Sequence, residues 1–234
     1  MQTPSTARRS TLSKLIKLSL FGAMGSVGIE GLIQDALAKG DAPPTAGINT
    51  FKGDVTVNGE QVKIGTPVKV GDRIKTGVAS TVVIVLGRDA FMLRQNTELE
   101  FKAVARADTV LDTVLVSTGK VLVVFEKAAR RNVDIKTRVA TIGIRGTGAY
   151  IETQGDKTYF CLCYGAAAVT TAATPTPEIL TADYHLSSWV SEVNGAMKIE
   201  KAPFADHSDA ELTLLESLVG RKPPFEGKGY PSAY

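Results

Sequence analysis

The chain lacks the short motifs by which common enzyme families are identified. It contains no G-x-S-x-G nucleophile elbow, no Walker phosphate loop and no zinc-protease helix. Its acidic residues Glu98 and Glu100 alternate along an expected strand, which is typical of a solvated face. Because catalysis needs a definable set of nucleophile, base and stabilising groups, the sequence predicts a protein that is not an enzyme.

Long hydrophobic runs are absent except near the N-terminus. There, Arg8 and Arg9 precede a modestly apolar segment, residues 15–33, which is followed by Ala-Leu-Ala at 36–38. This order is typical of a secretory signal, and the paired arginines resemble a twin-arginine signal. We therefore expect residues 1–38 to be a signal peptide and the protein to be periplasmic. A general secretory signal or an uncleaved anchor are the alternatives.

The mature chain has little net charge. Removal of residues 1–38 takes away four basic and two acidic side chains, which lowers the formal net charge from +3 to +1. A nearly neutral protein lacks the electrostatic attraction that nucleic-acid binding requires. We therefore expect no nucleic-acid partner, no membrane span in the mature chain, and a single domain with appendages.

Short apolar runs separated by turn residues dominate the middle of the chain. After a Pro- and Gly-rich linker at 39–50, this pattern extends over residues 51–169. Asn58-Gly59 between alternating residues is a strong hairpin signal, and the apolar run at 80–86 predicts a strand buried on both faces. The enrichment in β-branched residues predicts an all-β sandwich or barrel.

The last part of the chain, residues 170–234, is interpreted as a C-terminal tail that contains one short helix, 209–219. Ser208 and Glu211 have the spacing of a capping box, in which each side chain binds the backbone N–H of the other. An apolar stripe follows on one face: Leu212, Leu215 and Val219. A helix of this length is marginal alone, so we expect it to dock against the β-domain.

Several motifs in a fixed order make residues 53–148 resemble a FecR-type domain. The pieces are Gly53-x-Val55 with Asn58-Gly59, Val70-Gly71-Asp72-x-Ile74-x-Thr76-Gly77, Gly119-Lys120-Val121, Ile135-x-Thr137-x-x-Ala140 and Ile144-Arg145-Gly146-Thr147. The resemblance implies an extracytoplasmic all-β module, a FecR-like β-sandwich or roll. It implies the stand-alone exported type rather than the full-length transmembrane sigma regulator, because few residues precede the N-terminal apolar segment.

The family motif Arg145, Gly146 and Thr147 is a candidate ligand contact. A guanidinium can bind a carboxylate or carbonyl oxygens with a fork of donors, and a glycine permits a tight turn. The alternative is structural, with Arg145 tying a strand end to a neighbouring loop.

The two cysteines of the chain, Cys161 and Cys163, lie in an alternating segment that predicts a strand. Both should face one side with Tyr159, while Phe160, Leu162 and Tyr164 face the other. Two strand residues span about 6.6 Å, whereas a disulfide needs Cβ atoms about 3.8 Å apart, so a regular strand disfavours a disulfide. A bulge at Gly165 could relieve this restriction.

Two histidines, His185 and His207, follow the cysteines and complete a set with the residue types of a Cys₂His₂ site. No cofactor follows from a known motif, and a soft transition metal is the candidate. The alternative is that the cysteines are buried as small hydrophobic residues and the histidines lie on the surface.

These observations predict a non-catalytic periplasmic FecR-type protein that binds a ligand or an envelope partner, or senses the state of the envelope. The ligand or envelope protein is not identified by the sequence. The alternative function is a metal- or redox-binding protein that uses Cys161 and Cys163 with His185 and His207.

Overall fold

The structure, a computed structural model, describes residues 46–103, 111–127 and 131–230. The predicted signal peptide, residues 1–38, and residues 39–45 of the predicted linker lie outside this part. Among the described residues the chain forms sixteen β-strands and one α-helix, α1. Their bounds are β1 Gly47–Lys52, β2 Val55–Val57, β3 Glu60–Gln61, β4 Arg73–Thr76, β5 Thr81–Leu86, β6 Asp89–Leu93, β7 Glu98–Lys102, β8 Thr113–Thr118, β9 Lys120–Val124, β10 Val133–Lys136, β11 Ala140–Ile144, β12 Gly148–Gln154, β13 Lys157–Thr171, β14 Glu178–Ala182, β15 Leu186–Val193, β16 Ala196–Lys201 and α1 Asp209–Leu218.

The strands form two half-sheets that are joined by the long strand β13. In the first half-sheet the order is β1-β5-β6-β9-β12-β13-β15-β16, and in the second it is β3-β2-β4-β7-β8-β10-β11-β13-β14. The N-terminal part of β13 pairs with β12 and β15, and its C-terminal part pairs with β11 and β14. The prediction of an all-β fold with a short C-terminal helix is confirmed.

The inner core lies between the two half-sheets. Side chains from β5, β6 and β9 meet side chains from β7, β8, β10 and β11 in one buried cluster. Phe91 lies at its centre, with ring centroids 4.9 Å from Phe101 and 5.6 Å from Phe125 in edge-on contacts. Edge-on aromatic pairs of this kind add specific geometry to the burial of apolar area.

A third layer covers the outer face of the first half-sheet. Residues 202–225, which we call the C-terminal cover, place Leu212, Leu214 and Leu215 in a second apolar cluster. The helix α1 lies in this cover against β6 and β9. Strand β5 therefore has apolar side chains on both faces, with Ile84 in the inner core and Val83 under the cover, which confirms the prediction from its unbroken apolar run.

The predicted start of the helix is confirmed in detail. Ser208 is the N-cap, its side chain accepts a hydrogen bond from the backbone N–H of Glu211, and the Glu211 carboxylate accepts one from the backbone N–H of Ser208. The helix ends at Leu218, one residue before the predicted end, because Val219 adopts the C-cap position. The predicted hairpin at Asn58-Gly59 is also present, since it joins the paired strands β2 and β3.

The predicted domain boundaries need correction at both ends. Strand β1 begins at Gly47, inside the segment predicted to be a linker, and it pairs with β5. Three strands, β14 to β16, lie in the segment 170–234 that we interpreted as a tail, and they extend the sheet beyond residue 169. Strands β14 and β16 are mostly exposed, and each has only two partly buried apolar residues on one face, so the alternation that indicates a strand is short in both.

In the described part of the chain no helix has the length and apolar character needed to cross a membrane.

Replacement of Leu215 by alanine tests how strongly the cover is attached. The side chain is fully buried between α1 and the sheet, so the Leu215→Ala variant should lose about 2–5 kcal/mol of unfolding free energy. The matched control is Thr213→Ala in the same helix, where the side chain is exposed and the change should stay within about 0.5 kcal/mol. Urea unfolding followed by circular dichroism measures both, and equal losses would contradict a docked cover.

Candidate metal centre

An irregularity in the pairing of β13 lies at the second of the two cysteines, and both cysteines face the outer side of the first half-sheet. Gly148 of β12 is opposite Tyr164, but the next residue, Ala149, is opposite Leu162. Cys163 is therefore the extra residue of a β-bulge, which locally breaks the strict alternation of side chains.

The bulge changes one predicted orientation. Phe160 and Leu162 face the inner core as predicted, and the cysteines lie in the outer cluster with Tyr159. Tyr164 also lies in the outer cluster, whereas the alternation in the sequence predicted that it would lie on the same side of the strand as Phe160 and Leu162. The extra residue shifts the alternation by one position, so two successive side chains, those of Cys163 and Tyr164, share a face.

Strands β14 and β15 place His185 beside the bulge. Strand β14 pairs with the part of β13 after the bulge and β15 with the part before it, so residues 183–185 form a corner opposite Cys163. The backbone N–H of His185 donates to the carbonyl oxygen of Cys163 at 3.1 Å. Its ring nitrogen Nδ1 lies 3.6 Å from the Sγ atom of Cys161.

The C-terminal cover contributes His207, which directly precedes the helix cap. Its Nε2 atom lies 3.4 Å from the Sγ atom of Cys163. Its Nδ1 atom is hydrogen-bonded to the carbonyl oxygen of Ala205 at 2.8 Å, and its ring stacks on Tyr150 with centroids 4.7 Å apart.

All four predicted metal-site residues are thus brought together. The Sγ atoms of Cys161 and Cys163 and one ring nitrogen each of His185 and His207 lie within 4.8 Å of one another. Around a tetrahedral zinc ion, bond lengths of about 2.3 Å to sulfur and about 2.0–2.1 Å to nitrogen set a sulfur and a nitrogen about 3.6 Å apart. The two sulfur–nitrogen distances, 3.6 and 3.4 Å, agree with that geometry.

The far side of each imidazole is also engaged. The Nε2 atom of His185 lies 2.8 Å from a carboxylate oxygen of Asp209, and the other carboxylate oxygen accepts a hydrogen bond from the Tyr184 hydroxyl at 2.8 Å. A carboxylate or carbonyl that binds one ring nitrogen fixes the ring plane and the direction of the other nitrogen. In both histidines that other nitrogen faces a cysteine sulfur.

The pKa values of the two thiols are shifted in opposite directions. A hydrogen bond from the Cys163 thiol, with a smaller contribution from His185, lowers the pKa of Cys161. Burial raises the pKa of Cys163, and the adjacent Cys161 sulfur raises it further. Burial alone would lower the pKa of His185, but Cys161 and Asp209 outweigh it and the pKa is raised. A second thiolate is therefore costly here unless a cation compensates its charge.

Aromatic side chains enclose the cluster. The ring of Phe204 lies 4.5 Å from each imidazole, and Tyr184 and Phe225 pack on His185. The alternative prediction of two surface histidines is wrong, because the side chain of His185 is 4% exposed and His207 is 5% exposed. The other half of that alternative, two buried cysteines, agrees with the structure.

Sequence reasoning missed the residues that surround the cluster. Asp209 was visible as an acidic residue at the helix start, but its partner is His185, which is 24 residues away. Tyr150, Tyr184 and Phe204 carried no sequence signal, because their roles depend on how the cover folds onto the sheet.

The motif Arg145, Gly146 and Thr147 lies in the turn between β11 and β12, behind the bulge. Arg145 is exposed and Thr147 is buried. The methyl carbon of Thr147 fills the space that a side chain on Gly165 would occupy, so the motif packs directly against the strand that carries the cysteines. The motif does not join the four clustered residues, and its contact with a ligand stays a prediction.

Comparison with known proteins supports the sequence resemblance. Residues 72–168 match the family model described as FecR protein, so the resemblance predicted for 53–148 is confirmed from residue 72 onwards and the match extends 20 residues beyond it. The match includes both cysteines and neither histidine. No curated protein matches the chain.

Two solved structures are similar to part of this chain, and both are described as "a putative anti-sigma factor from Parabacteroides distasonis ATCC 8503". The first is 11% identical with a TM-score of 0.45, covering 55% of this chain and 59% of its own. The second is 13% identical with a TM-score of 0.42, covering 63% of this chain and 60% of its own. The chain thus spans about three fifths of each structure, and likeness at this level carries no information on function.

Replacement of Gly146 by alanine tests the structural part of the motif. Gly146 has φ +67°, and a Cβ atom there would lie 2.3 Å from the Cβ of Lys127. Gly155 has a similar φ of +55° but open space around it, so it is the matched control. Gly155→Ala should cost about 1–2 kcal/mol from backbone strain alone, and Gly146→Ala about 1–3 kcal/mol more from overpacking. Thermal unfolding measures both; equal losses would show that the turn is not tightly packed.

Proposed function

We propose that this chain is an exported, non-catalytic FecR-type protein that holds one soft transition-metal ion, with Zn²⁺ as the best fit. The ligands are Cys161, Cys163, His185 and His207. The observation that carries the proposal is the convergence of two sulfurs and two ring nitrogens within 4.8 Å. The FecR-type half-sheets serve as the scaffold, and an envelope protein or ligand as partner remains a prediction.

Metal binding accounts for features that simple packing does not. Buried cysteines can act as small hydrophobic residues, but that explanation gives no reason for two buried imidazoles aimed at the same sulfurs. In each imidazole the nitrogen that does not face sulfur is hydrogen-bonded, to Asp209 in one case and to the Ala205 carbonyl in the other. This is the outer-shell arrangement that metal-binding histidines have in proteins.

The donor set favours zinc over harder ions. Two thiolates and two imidazoles in a tetrahedral arrangement are typical of Zn²⁺, whereas Mg²⁺ and Ca²⁺ prefer oxygen ligands. Four protein ligands leave no open position for substrate or water, which distinguishes structural from catalytic zinc sites. The aromatic enclosure of the histidines supports the same interpretation, and we therefore propose a non-catalytic role.

Export is part of the proposal and rests on the N-terminal sequence, which lies outside the described residues. A twin-arginine route carries proteins that are already folded, and often loaded with a cofactor, so it would suit a protein that acquires its metal before export. The periplasm is oxidising, and two free thiols there need protection. Coordination of Cys161 and Cys163 to a metal provides that protection.

Elemental analysis of the purified protein tests the metal centre. We expect about one zinc ion per chain in the wild type and none in the Cys161→Ser/Cys163→Ser variant, because the variant loses both thiolate ligands. Leu162→Val is the matched control, since this residue lies between the cysteines but faces the inner core, and it should keep the metal. Cobalt substitution adds a spectroscopic test, because thiolate-bound tetrahedral Co²⁺ absorbs visible light strongly.

Two results would contradict the metal centre. One is a wild-type protein without stoichiometric metal whose two thiols are free and buried, which would reduce the cluster to packing. The other is metal that stays bound in the double cysteine variant, which would locate it elsewhere in the chain.

A further inference from the structure

We infer that the metal ion is a latch that holds the C-terminal cover on the sheet, so that metal binding and docking of residues 202–225 are thermodynamically linked. This inference rests on the proposed metal centre and adds that docking of the cover and binding of the metal strengthen each other. The argument starts from the positions of the four ligands on two separate parts of the chain.

The ligands are divided unequally between the sheet and the cover. Cys161 and Cys163 lie on β13, and His185 lies at the corner between β14 and β15. His207 is the ligand that the cover provides. The cover also supplies Asp209, whose carboxylate binds the far nitrogen of His185, so the cover orients one ligand on the sheet as well as donating its own.

The cover is also held by buried contacts that do not involve the metal ligands. Its ten-residue helix is shorter than an isolated helix needs to be stable in water, so it depends on what it packs against. Arg94 of the loop after β6 binds both carboxylate oxygens of Glu211, and Tyr164 donates to Glu216. Leu212 and Leu215 provide the apolar contact.

Undocking of the cover would therefore weaken the metal site in two ways. The ion would lose His207 as a ligand, and His185 would lose the carboxylate that orients it. Loss of an outer-shell partner alone lowers metal affinity about 10–100-fold, and loss of a ligand adds to this. A ligand that prefers one of two states shifts the equilibrium towards that state by the same factor, so bound metal must favour the docked cover.

Metal release would favour undocking of the cover, and undocking exposes a defined surface. The outer face under the cover carries Val83, Met92, Leu122 and Tyr150, an apolar set that is buried while the cover is docked. The cysteines lie on the same face and would become accessible with it. Bound metal thus favours the docked state, in which the cover lies over this face of the FecR-type domain.

The boundary of the family match fits this division. The match ends at residue 168, so it includes the strand that carries the cysteines and excludes both histidines and the whole cover. The latch joins the FecR-type sheet to a segment that lies outside the matched domain.

Amide hydrogen exchange on the mature chain tests the latch. We expect the amides of α1 to exchange about tenfold more slowly, or slower still, with Zn²⁺ bound than after treatment with a chelator, while amides of β7 and β8 in the inner core change little. In the His207→Ala variant, saturating Zn²⁺ should still bind through the three sheet ligands, with lower affinity. Its α1 amides should no longer be protected by the metal.

The reciprocal effect provides a second test that leaves all ligands intact. Leu215→Ala weakens the cover, so it should lower Zn²⁺ affinity about tenfold or more, because only the docked fraction binds with full strength. Leu99→Ala is the matched control, an equally buried leucine in the inner core on β7, and its Zn²⁺ affinity should stay within about threefold of the wild type.

The outcomes separate the latch from the metal centre. One zinc per chain with identical α1 exchange in loaded and chelated protein would overturn the latch and leave the metal centre intact. Unchanged affinity in Leu215→Ala, or an equal loss in Leu99→Ala, would overturn it as well. Failure of the wild type to bind Zn²⁺ at all would overturn the proposed function itself.

Discussion

The arrangement of this molecule depends on the pairing of one strand, β13, with both half-sheets. Its fifteen residues bind β12 and β15 before the bulge and β11 and β14 after it. Every backbone group in a sheet interior needs a partner, so the change of partners fixes where β13 bends. The bulge at Cys163 lies at this point, and it turns the side chains of Cys163 and Tyr164 to the same face. The bulge thereby adds Tyr164 to the outer cluster beside the cysteines.

The polar side chains of the outer cluster are buried together with their hydrogen-bond partners. Thiols, imidazoles and a carboxylate lie among leucine and aromatic side chains, where an unpartnered polar atom is expensive. The structure meets this requirement through a chain of contacts that runs from Cys161 through His185 to Asp209 and Tyr184. The same chain connects the sheet to the first turn of α1. The contacts that satisfy these buried polar groups therefore also hold α1 against the sheet.

The family match and the cysteine–histidine cluster overlap only in part. The matched residues, 72–168, include strands β4 to β12 and the part of β13 that carries the cysteines, and Gly146 and Thr147 pack behind the bulge. The histidines come from additions at the C-terminal side. A metal centre at this junction would join the matched segment to the cover through coordination bonds rather than through a larger apolar interface.

The elements that could be predicted from the sequence are those whose signals are local. The all-β pattern, the Asn58-Gly59 hairpin, the double-faced strand β5 and the capping box at Ser208 each depend on residues within a few positions of one another. The sequence also supplied the four residue types of the cluster, because only two cysteines and two histidines exist. The pairing of each histidine with its cysteine, the role of Asp209 and the burial of His207 are visible only in the folded chain. They depend on a cover that folds back across the sheet and joins residues more than 20 positions apart, and such long-range contacts leave no local pattern in the sequence.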